Sequence, residues 1–162
     1  MSDRIQQIEK NLKLLYAQLG AAEEGAIKAQ SAVSKLKYEQ EIEDDLKPQT
    51  RKFEQELFTL LQQESQGLTF VEADAQATID VIAQEVMQLQ RQPNLDGEML
   101  ALLQRIEAKI NEPGVTADAK LKGTLSIFPP FIGLSYEGQL DTENFCRKYF
   151  PTFTRLIKGA KK

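Results

Sequence analysis

Apolar residues recur along the first part of the chain at helical spacing. Ile5, Ile8, Leu12, Leu15 and Leu19 are separated by three, four, three and four positions, a stripe along one helix face. Ser2 or Asp3 supplies an N-cap. Gly20, Gly25 and the small residues around them weaken the helix, so a turn is expected within 21–32. A second stripe takes in Leu36, Ile42, Leu46, Thr50, Phe53, Leu57 and Leu60, with Pro48 set to kink it. Each stripe is too narrow to stand alone, and the two can bury each other as an antiparallel hairpin over residues 1–65.

Gly67 marks a boundary, and a second region is expected over 66–162, packed with the arm as one unit. Val71, Ala75, Ile79, Ile82, Val86 and Leu89 predict a third helix, with Thr69 and Glu72 spaced as a capping box. Met99, Leu103, Ile106 and Ile110 predict a fourth, started near Asp96 and stopped by Glu112-Pro113-Gly114. From residue 119 the period changes to two. Leu121, Gly123, Leu125 and Ile127 alternate with Lys122, Thr124 and Ser126, and after Pro129-Pro130 a similar run leads to Leu140. Two such runs about a Pro-Pro turn predict a β-hairpin with one apolar face, its tip flanked by Phe128 and Phe131. Asp141 or Thr142 would start a short last helix carrying Phe145, Tyr149, Phe153, Leu156 and Ile157, divided by Pro151. The expected fold class is mainly α, formally α+β: a helical hairpin, two further helices, a C-terminal β-hairpin and a short terminal helix.

Composition narrows the chemistry. The 162 residues contain no histidine, which removes the commonest general base and metal ligand. The single cysteine, Cys146, excludes an intramolecular disulfide framework and fits a reducing cytoplasm. No nucleotide-binding glycine fingerprint is present, and no histidine-containing carboxylate motif for a di-metal centre. Asp74, Asp80 and Glu85 are acids on an exposed helical face. The expectation is a protein that is not an enzyme and needs no cofactor or metal.

Charge is uneven. Residues 1–65 carry 9 basic and 12 acidic side chains, residues 66–113 carry 3 and 8, and residues 114–162 carry 8 and 4. An acidic body with a basic end can attract an anionic surface or an acidic face of another copy. The same acidity disfavours nucleic acid as a partner, despite aromatic and basic residues interleaved near the C-terminus.

Two function classes follow. The first is a protein–protein contact module, self-associating or recruiting another protein, with Leu12, Leu15, Leu19, Phe53, Leu57 and Leu60 making apolar contact within or between chains. The alternative is a membrane-docking or membrane-inserting effector. Its strands of about nine residues approach the ~9–11 of a spanning strand. Phe128, Phe131 and Tyr149 would enter the bilayer, while Lys158, Lys161 and Lys162 would meet anionic lipid.

The run IQQIEKNLKLLYAQLG, with Ile8, Glu9, Leu12, Leu15 and Tyr16, and the run LKPQTRKFEQE from Leu46 to Glu56 resemble a helical region found at the front of cyanobacterial signalling and conflict-system proteins. LKGTLSIFPPFIGLSYEGQLDTENF resembles a C-terminal block of the same proteins. The resemblance, to the effector-associated domains, covers about 1–64 and 119–157. In that group the region precedes NTPases of the NACHT/STAND kind or CHAT or caspase-like proteases. The resemblance implies an adaptor with no catalytic residues, either standing alone or excised from a larger protein, and these 162 residues include no effector.

Overall fold

The computed structural model describes residues 2–93, 95–137 and 152–159. Six α-helices account for most of them: α1 (Ser2–Lys28), α2 (Ala32–Glu41), α3 (Lys47–Gln66), α4 (Glu72–Gln90), α5 (Gly97–Ile110) and α6 (Ala117–Glu137). A further helical stretch covers 152–159. The chain divides into two compact units between Leu57 and Phe58, inside α3 rather than at Gly67.

The first unit is the helical arm. α1 passes through both Gly20 and Gly25, and the turn falls at 29–31. Ser31 caps α2, its Oγ accepting from the Ser34 N–H at 3.1 Å. Leu15, Leu19 and Ala22 of α1 form a buried cluster with Ile42 and Leu46, and Tyr16 and Phe53 pack against its edge. α1 and α2 approach closely at Gly25, where a Cβ would lie 2.7 Å from the Tyr38 ring.

Pro48 does not break the second helix. A π-helical turn, Ile42–Leu46, precedes it, and the Lys47 N–H donates to the Ile42 carbonyl five residues back. A proline removes a hydrogen bond and pushes against the carbonyl four residues earlier. One wider turn absorbs that crowding within a helical run and keeps Ile42 and Leu46 facing inward. The Thr50 hydroxyl donates to the Leu46 carbonyl at 2.7 Å, so this buried polar side chain is satisfied. At the open end of the arm, Arg4 grips Glu56 with a two-pronged contact, Nε to Oε1 at 2.9 Å and Nη2 to Oε2 at 3.0 Å. Both side chains are partly exposed, so this pair contributes at most about 1 kcal/mol.

In the second unit α4, α5 and α6 pack against one another, with α6 against both neighbours. α6 is the correction to the expected β-hairpin: residues 117–137 form one helix with Pro129 and Pro130 inside it, and no strand occurs among the described residues. The last part of the second run, Gly138 to Leu140, lies outside the described residues. The sequence 121–132 carries two periods at once. Leu121, Leu125 and Ile127 satisfy an alternation, whereas Leu121, Thr124, Leu125, Phe128, Phe131 and Ile132 satisfy a helix, and all of the latter are buried. Thr124, which an alternating strand would turn to solvent, is fully buried and returns its hydroxyl to the Lys120 carbonyl at 2.8 Å. A helix-interior proline costs ~3 kcal/mol or more. Five buried side chains nearby (Leu125, Ile127, Phe128, Phe131, Ile132) contribute roughly 1.5–3 kcal/mol each, so packing outweighs the prolines. Pro130 and Ser126, the residue whose carbonyl it leaves without a helical partner, lie on the exposed side.

Four phenylalanines tie this unit together. Phe128 of α6 sits 5.3 Å from Phe58, 5.9 Å from Phe153 and 6.5 Å from Phe131, ring centre to ring centre, and Phe58 lies 6.0 Å from Phe153 edge-on. All four are buried. The turn between α5 and α6 needs Gly114, whose φ of +75° suits glycine after Pro113.

The starts of α4 and α6 clasp each other. The expected Thr69–Glu72 capping box is replaced: Val71 holds the N-cap position without a side-chain bond. Glu72 reaches across instead, and its Oε1 accepts from the Ala117 N–H at 2.6 Å. In return, Asp118 Oδ1 accepts from the Phe70 N–H at 2.7 Å, and Lys122 pairs with Asp118 at 3.3 Å. Each carboxylate lies at the N-terminal end of a helix, where negative charge is favourable. Asp118→Ala should lower stability by roughly 1–2 kcal/mol in a denaturant titration. With Glu72→Ala the two losses should combine non-additively, because both changes open the same joint.

Candidate contact surface

The residues expected to carry contact fall into two groups. Leu12, Leu15, Leu19 and Leu57 are buried, and Phe53 and Leu60 are half-buried. Leu15 and Leu19 belong to the arm's internal cluster, with Phe53 at its edge. The helical stripe is therefore core. Phe128 and Phe131, expected at a hairpin tip for membrane contact, are each 1% exposed within the aromatic cluster. The membrane-inserting hairpin is corrected with them: a helix has no alternating faces, and its aromatics are used inside. Lys158 is exposed, whereas Tyr149, Lys161 and Lys162 lie outside the described residues. No helix among the described residues is long and apolar enough to cross a membrane.

Exposed apolar side chains gather elsewhere, around the turn of the arm. Ile27 near the end of α1 is 83% exposed, and Val33 and Leu36 of α2 are 79% and 54% exposed. Every residue from Gln30 to Glu41 is exposed, and α2 buries none of its ten. A short helix without a buried face is marginal in water. Three features hold this one: the Ser31 cap, its continuation through the π turn into α3, and the Tyr38 ring laid over Gly25. On a helical wheel Val33 and Leu36 lie together, well away from Tyr38 and hence from α1. They form an outward apolar ridge.

Sequence reasoning placed Leu36 in the buried stripe and passed over Ile27 and Val33. A signal was present in the spacing. From Leu46 the stripe runs four, three, four, three, but Leu36 stands six positions before Ile42 and out of phase with it.

Chemical sites are sparse by comparison. Among the described residues no group of acidic or cysteine side chains could hold a metal ion. A shallow hollow of about 100 Å³ is lined by Phe70, Val71, Asp74, Arg155, Leu156 and Gly159. It is well below the ~300 Å³ at which small-molecule pockets begin. The fully buried Glu54 accepts a 2.7 Å hydrogen bond from the Tyr16 hydroxyl, an arrangement internal to the arm. Comparison with protein-family models, with curated proteins and with solved structures finds no match.

Proposed function

We propose that this chain is a non-enzymatic contact module of the cytoplasm, an adaptor that works by docking the turn of its helical arm onto a protein. The observation that carries the reading is the outward ridge of Val33 and Leu36 on a helix with no buried residue. Isolated exposed apolar residues are ordinary, but a run of them on an otherwise unpacked helix favours a partner's groove or helix. The arm supplies what such a surface needs. Its internal cluster of Leu15, Leu19, Ala22, Ile42 and Leu46 supports the base of the turn, so the ridge is presented on regular helix. The resemblance of 1–64 to effector-associated domains points the same way, toward recruitment or clustering in signalling or defence.

A photo-crosslinking amino acid placed at Val33 tests this in the cells that make the protein. A discrete protein adduct is expected from Val33 and not from the exposed Gln63 of α3. No adduct at Val33, or equal labelling from both positions, would remove the reading.

A further inference from the structure

The exposed surface of α2 carries an ordered charge pattern, with Lys37 and Glu41 on one flank of its apolar ridge and Lys35 and Glu39 on the other. Lys35 and Lys37 come first, followed by Glu39 and Glu41 and then by Glu43, Asp44 and Asp45 of the π turn. Lys35 and Glu39, and likewise Lys37 and Glu41, stand four residues apart but in the less favourable order, with the base toward the helix N-terminus. Among the described residues none of these four forms an ion pair, whereas Glu43 is held by Lys47 at 3.0 Å. The helix thus presents uncompensated positive charge at one end, uncompensated negative charge at the other, and exposed Val33 and Leu36 alongside.

We propose that α2 pairs with α2 of a second copy of this chain, antiparallel and about a two-fold axis. This rests on the reading of the turn as a contact surface and names its partner. Charge order decides the direction. A parallel pairing sets lysine against lysine and glutamate against glutamate. An antiparallel one sets each flank of the ridge against the same flank of the other copy, and with the axis passing near residue 38 it brings Lys37 toward Glu41 and Lys35 toward Glu39 of that copy. The two Leu36 side chains are then offset by only about 6 Å along the axis, at ~1.5 Å per residue, and can cover each other. A two-fold pair makes each such contact twice, which is how a short surface becomes sufficient. Because the charges are exposed, the pairing weakens as salt rises.

Light scattering on the intact chain and two charge-reversed variants, at low salt and rising concentration, tests the assignment. The wild type should climb from 18.3 kDa toward twice that mass. Lys35→Glu/Lys37→Glu alone and Glu39→Lys/Glu41→Lys alone should remain monomeric, since each carries like charge along the whole helix. An equimolar mixture of the two should recover the dimer. A wild type that holds 18.3 kDa throughout, single variants that dimerise as it does, or a mixture no heavier than its components would each overturn the pairing. A monomeric wild type combined with a Val33 adduct to a different protein would retain the docking reading and reject only the second copy. Loss of the adduct as well would reject both.

Discussion

Replacing Phe128 with alanine should cost about 3–5 kcal/mol and remove the cooperative unfolding of the second unit. The side chain is 1% exposed and its ring touches Phe58, Phe131 and Phe153, so truncation opens a cavity that three other rings cannot close without moving. Single domains hold only ~5–15 kcal/mol in total, so much of the stability is at stake. Chemical denaturation followed by far-ultraviolet circular dichroism measures it. The expected result is a large fall in the midpoint. Were Phe128 at an exposed hairpin tip, the same change would fall within about 0.5 kcal/mol of zero. The experiment therefore separates the helix from the strand reading at the residue where they differ most.

Leu15→Asp should be the most damaging change in the arm. Leu15 is 6% exposed among Leu19, Ala22, Ile42 and Leu46. The substitution removes apolar contact and buries a carboxylate among aliphatic side chains, a loss on the order of 5 kcal/mol. Val33→Asp/Leu36→Asp places two charges where the chain already meets solvent and should leave the melting temperature within a few degrees of wild type. A thermal melt of the two variants side by side is sufficient. Equal damage from both would mean that the turn is packed in a way its exposure does not reflect.

Most of the helices were legible because their apolar residues repeat at one period only. Met99, Leu103, Ile106 and Ile110 admit no other reading, and Asp96 caps α5 as its position suggested, accepting from the Glu98 N–H at 3.0 Å. α6 was not legible because Leu121, Leu125 and Ile127 fit two periods, and Pro129-Pro130 tipped the choice toward a turn. What settles it is the burial of Thr124 together with Phe128 and Phe131, a property of the packed unit rather than of the local sequence. The Glu72–Ala117 and Asp118–Phe70 clasp was out of reach for a similar reason, since its partners lie 45 and 48 residues apart. The contact surface was not legible. Leu36 was read as part of a stripe, but apolar residues at helical spacing fill a core more often than a surface, and the rest of that stripe is the one the arm keeps for itself.

Hydrogen exchange of the intact chain, read peptide by peptide, tests most directly whether the turn of the arm is the surface left open for contact. In dilute solution the amides of 32–41 should exchange far faster than those of 121–132, and slow as the protein is concentrated. Amides of α2 protected as strongly as those of α6 in the dilute monomer, and indifferent to concentration, would show a face already covered and would contradict the account.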